Sequence, residues 1–173
     1  MSKAKQIKKK KDYTVPILGG VFAAVLILMV VVLCIPKEAE KGEFVPPAFD
    51  SAAVAGTPEV DETLGYTELY QDGMAYRVSV CGVVTMDGKD AVVYFTNAES
   101  NEKYLKLRVL DAEGNILGES GLLKPGEYVK SVELTEKLAA GTKIKLKIMG
   151  YEPEDYSSAG SVSLNVTVGG ASN

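Results

Sequence analysis

Two tyrosines and three carboxylates stand together in Tyr151-Glu152-Pro153-Glu154-Asp155-Tyr156-Ser157-Ser158, the stretch of this chain best supplied with reactive side chains. The chemistry they offer is recognition. Tyrosines give rigid amphipathic contact area, and acids steer a cationic partner. Turnover fits less well. The 173 residues contain no histidine, so the commonest general base and the commonest metal ligand are both missing. Ser157 and Ser158 have Glu154 and Asp155 nearby in sequence, but no lysine stands beside them to activate a hydroxyl. Tyr151, Glu152, Glu154, Asp155 and Tyr156 are therefore read as a partner-binding loop, with no catalytic, cofactor or metal residue assigned.

Other chemistry-bearing clusters give weaker signals. Asp111-Ala112-Glu113-Gly114-Asn115 begins like a calcium loop, but Ile116 and Leu117 interrupt the oxygen donors a twelve-residue loop requires. A hairpin turn accounts for it better, as it does for Asp87-Gly88-Lys89-Asp90. A methyltransferase needs a glycine-rich strand-to-helix turn, which the chain lacks, and Cys81 reads as a small buried hydrophobe. Tyr66, Tyr70 and Tyr76 form a second aromatic group, read as edge or core. With no tryptophan in the chain, a glycan platform on either tyrosine set is a secondary reading.

The elements that must position the loop alternate in period two. Leu105, Leu107 and Val109 are interleaved with Lys106 and Arg108; Ile144, Leu146 and Ile148 with Lys145 and Lys147; Val162, Leu164, Val166 and Val168 with Ser163, Asn165 and Thr167. One face of each run is buried and the other wet. Strands are also expected at 74–84, 91–97, 116–119 and 128–134. Asp87-Gly88, Gly114-Asn115, Pro125-Gly126 and Ala140-Gly141 supply the turns between runs. Some seven short strands without a helical period predict an all-β, antiparallel Ig-like β-sandwich over 66–173.

Upstream the character changes. Residues 36–65 carry four prolines and scattered acids with no sustained period, and are read as an extended linker. Its FVPPAFD segment is read as a spacer or as packing on the domain. Ile17 to Ile35 is an apolar run of 19 residues, roughly 28 Å as a helix, which predicts one uncleaved transmembrane signal anchor. Within it Gly19 and Ala23, and Gly20 and Ala24, offer a small-residue helix–helix face. Residues 1–16 form a basic tail in which Lys8, Lys9, Lys10 and Lys11 meet the membrane surface. After the span, 13 Lys and Arg face 22 Asp and Glu, a net charge of −9. The positive-inside rule then places the tail in the cytoplasm and the domain outside the cell membrane.

The run from Phe95 to Glu152, with its Asn-bearing turn, long alternating strand, Pro125-Gly126 and the Leu138-Ala139-Ala140-Gly141 corner, resembles the small Ig-like or fibronectin-III-like modules of bacterial surface proteins. Thr142 and Lys143 follow the corner where the family often has a tyrosine. With tail, span and linker included, the chain also resembles small single-pass membrane-anchored proteins of Gram-positive bacteria. The resemblance implies a binding module accessory to an envelope, secretion or conjugative-transfer assembly. Its implied partners are the lipid bilayer, envelope proteins and, as an alternative, cell-wall glycan; neither a cofactor nor nucleic acid is expected.

Overall fold

The computed structural model describes Met29, residues 44–70 and residues 72–169. The chain divides into two compact units, Met1–Phe44 and Val45–Asn173. The expectations for the basic tail, for the span, and for Lys8, Lys9, Lys10, Lys11, Gly19, Gly20, Ala23 and Ala24 lie outside the described residues. Among those described, no helix is long and apolar enough to cross a membrane.

The second unit is all-β. In chain order its strands are β1 (Val54–Ala55), β2 (Tyr66–Leu69), β3 (Val78–Cys81), β4 (Val83–Asp87), β5 (Asp90–Asn97), β6 (Tyr104–Leu110), β7 (Ile116–Glu119), β8 (Glu127–Glu133), β9 (Lys143–Tyr151) and β10 (Ser158–Val168), with one 3₁₀ turn at Glu62–Leu64. They join into one curled sheet ordered β1-β8-β5-β4-β10-β9-β6-β7, and β2 and β3 are carried alongside on β5.

Alternation explains the long strands. Leu105, Leu107 and Val109 on β6 and Ile144, Leu146 and Ile148 on β9 are all buried, and the lysines and arginine between them face outward. Val78, Val80, Val84, Val93 and Phe95 meet them from the other half of the curl. The single strand expected over 74–84 is instead broken at Gly82. β3 pairs antiparallel with β2 and β5, whereas β4 continues along β5 and also meets β10 in parallel at Val83 and Val84. One straight strand cannot serve both neighbours, so the chain bends between them.

That parallel contact corrects the antiparallel expectation: the sheet is mixed, and its β4–β10 junction welds the halves edge to edge. Residues 45–65, read as linker, take part in the fold. Asp50 N–H donates to Leu122 O at 2.9 Å, Leu122 N–H to Ala48 O at 2.9 Å, and β1 pairs antiparallel with β8. Proline-rich composition suggests an extended path, and extended chain can lie along a sheet as readily as in solvent.

Candidate functional site

The loop after β9 is a tight, self-bonded turn. Glu152 N–H donates to Ser157 O and Tyr156 N–H to Glu152 O, both at 2.9 Å, and Ser157 N–H donates to Asp155 Oδ1 at 2.9 Å. That backbone donor, with the Ser157 hydroxyl, holds the Asp155 carboxyl below the usual range. Tyr156 has φ 56°, a left-handed conformation costing about 1 kcal/mol or more for a residue with a Cβ.

This conformation brings the Tyr156 ring onto Tyr104, with centroids 6.1 Å apart, and Phe49 meets Tyr104 edge-on at 5.1 Å. Lys124 Nζ sits 4.9 Å from the Phe49 centroid, a cation–π contact. Across the β6–β9 ladder Tyr104 pairs directly with Tyr151. Glu152 is held by Lys103, Nζ to Oε2 2.6 Å, and this bond raises the lysine's pKa. Of the five loop residues read from sequence, Tyr151, Glu152 and Tyr156 are thus drawn into a half-buried aromatic and ion-paired cluster. Glu154 and Asp155 stay exposed at its rim.

The cluster continues into a surface that the sequence reading passed over. Cross-strand registry sets Lys106 beside Met149, Arg108 beside Lys147, Leu110 beside Lys145, and Lys143 beside Thr167 on one outward face. Five cations share this face with Glu119, which binds both Lys106 at 2.6 Å and Arg108 at 2.8 Å. Partial burial pushes Glu119 toward protonation, but these two cations outweigh it and hold its pKa below the usual value. Lys143, Lys145 and Lys147 form no ion pair among the described residues. At their foot lies an open groove of about 430 Å³, bordered by Asp111, Lys143, Lys145, Asn165 and Thr167. The sequence signal was Lys143-Ile144-Lys145-Leu146-Lys147, which reads simply as the wet half of an alternating strand until its charge is set against a domain rich in acids.

The remaining sequence candidates are scattered. Tyr66 donates to Thr96 Oγ1 at 2.7 Å, Tyr70 lies under Arg77, and Tyr76 is a core residue whose hydroxyl donates to Ile148 O at 3.2 Å. Asp111 uses both carboxylate oxygens inside its own turn, accepting from Asn115 N–H and Nδ2 at 2.7 Å. Those bonds lower its pKa and explain the segment as a hairpin turn. Burial pushes the Cys81 thiol up to about 11, so it is an un-ionised core group at neutral pH.

No family model, no curated protein and no solved structure matches this chain. Its site must be read from the residues themselves.

Proposed function

We propose that this chain is a non-enzymatic binding module, an Ig-like sandwich held at the outer face of a cell membrane by the apolar run 17–35. Its task is to contact a protein partner in an envelope, secretion or transfer assembly. The observation that carries the reading is the joint surface of the β6–β9–β10 face: Tyr104, Tyr151 and Tyr156 at one end, and Lys143, Lys145, Lys147 and Arg108 beyond them. Aromatic anchors beside a row of cations, of which Lys143, Lys145 and Lys147 form no ion pair among the described residues, are the makings of a contact with an acidic partner surface. Strand connectivity supports the Ig-like description. β5 and β8 lie together in one half, β7-β6-β9-β10 in the other, and a strand that changes partners at Gly82 joins them.

A photo-crosslinking residue placed at Asp155 or Lys145 tests the reading in cells producing the full chain. Both positions should capture the same partner, and Lys130, exposed on β8 in the other half, should capture none. Changing Lys143, Lys145 and Lys147 together to Glu should abolish capture from Asp155. Equal capture at all three positions defeats the proposal.

A further inference from the structure

β10 has one edge that is left largely unpaired among the described residues. Its inner edge pairs with β9 over nearly its whole length, but its outer edge meets β4 only at Thr167 and Val168. From Ser161 to Val166 no described strand lies along that outer edge. The direction of the backbone groups follows from their neighbours. Val168 N–H donates to Thr142 O and Val168 O accepts from Gly141 N–H, both on the β9 side, whereas Gly169 N–H donates to Val84 O on the other side. Antiparallel pairing alternates residue by residue, so Ser161, Ser163 and Asn165 direct N–H and C=O off the open edge.

Natural edges are normally blunted by charge, by proline or by a bulge that turns them away. Ser158–Val168 holds no charged residue and no proline in a chain that is 24% charged, and its single irregularity lies at one end, between Ser158 and Ser161. Beneath the edge Val162 and Leu164 are half-buried, and the outward side chains Ser161, Ser163 and Asn165 are small, polar and neutral.

We propose that this edge pairs with the same edge of a second copy, antiparallel about a two-fold axis at Ser163. In that register Ser163 faces Ser163 of the second copy, Ser161 faces its Asn165, and Val162 faces its Leu164. Polar side chains meet polar on the outer face, and apolar meet apolar within. Each outward-directed residue becomes a hydrogen-bonded pair exchanging both bonds, so the open run is satisfied in both copies. Centring the axis two residues either way sets the irregular segment at Ser158 or the β4-bound Thr167 against the partner. Charge does not oppose the join. The two β9 lysine ladders end up three strand spacings apart, about 14 Å, beyond the ~8 Å screening length of physiological salt.

Position-specific disulfides test this in the full-length chain with Cys34 replaced by Ser, the buried Cys81 being left in place. In a hydrogen-bonded antiparallel pair the facing Cα atoms are about 5.5 Å apart, within disulfide range. Ser163→Cys should oxidise to a covalent dimer. Ser161→Cys and Asn165→Cys should each stay monomeric alone, because each faces the other residue and its own copy lies about 14 Å away. Mixing those two variants should restore the covalent dimer. A monomeric Ser163→Cys, or equal cross-linking of all three single variants, overturns the proposal. Ser163→Lys gives a second measurement: it sets a lysine against itself on the axis while leaving every intramolecular bond in place. Its far-UV circular dichroism should match the parent's and its dimer should be lost in sedimentation; a dimer that persists also overturns the proposal.

Discussion

At the scale of single residues, Asn97 is the polar side chain the fold depends on most. It is fully buried, and its Nδ2 donates to Lys103 O at 2.9 Å and Leu123 O at 3.0 Å. Its Oδ1 accepts from Asn101 Nδ2 at 2.6 Å, and Asn101 in turn grips the backbone of Arg77. One amide thus ties β5 to the start of β6 and to the segment before β8. Asn97→Ala removes the amide donor from the part-buried Lys103 O and one of two donors from Leu123 O, which keeps the Leu105 N–H at 3.0 Å, so a loss of roughly 1–3 kcal/mol is expected in urea unfolding. Asn97→Asp is the sharper comparison, since it keeps the shape and removes the donor, and it should destabilise at least as much. A loss below about 0.5 kcal/mol for both, the level of an ordinary surface change, would reject the hub role. Sequence placed Asn97 at the end of a strand but gave no sign of this duty, because its partners lie six and 26 residues further on.

Elements were legible where one strand carries its own pattern. β6, β9 and β10 announce their buried faces by alternation, and β7 and β8 by short β-rich runs between turn residues. What stayed hidden was set by neighbours distant in sequence. β1 is two residues long with no apolar period, and it exists because β8 offers an edge to it. The bend at Gly82 reflects the parallel partner β10, and the aromatic end of the site needed Phe49 to fold back onto Tyr104. The strap around Asp50 depends on Gly121, where an added Cβ would come within 2.4 Å of Asp50 N and 2.8 Å of Phe49 C. Asp50 Oδ2 also accepts from Gly121 N–H at 2.7 Å. Gly121→Ala should therefore push the strap off the sheet, at about 1–3 kcal/mol if the strap resists. Amide exchange should speed up at Asp50 and Leu122, while Leu107 and Leu146, deep in the core, keep their protection. Unchanged exchange at Asp50 would show that the strap accommodates the methyl group and is not held by close approach.

For the whole molecule the deciding quantity is how charge is apportioned. The residues after the apolar run carry −9, yet five cations gather on one face around Glu119. Stability should consequently fall on both sides of neutrality, for different groups. On the acid side the pKa values of Asp61, Asp111, Asp155 and Glu119 are lowered by hydrogen bonds to Thr63, Asn115, Ser157 and the Lys106–Arg108 pair, over some opposing burial. A carboxyl with a depressed folded pKa contributes stability above its unfolded value and loses it as pH falls through the folded one. The acid limb therefore begins in the ordinary carboxylate range and extends below it. On the alkaline side Cys81 keeps its proton in the fold up to about 11, whereas the unfolded thiol releases it near 9.0, so unfolding is increasingly favoured between those values. Lys103, whose pKa is raised chiefly by its bond to Glu152, adds a contribution that is complete below the ordinary lysine pKa and lost as pH rises through the raised value. Melting temperature against pH should thus form a plateau through neutrality with two falling limbs. Cys81→Ala should lower the plateau by opening a small cavity, yet flatten the limb between about pH 9 and 11. Parallel alkaline limbs in the two proteins would show that Cys81 reaches water before unfolding. The seam where β3 gives way to β4, right after Cys81, would then be the place where the curl opens.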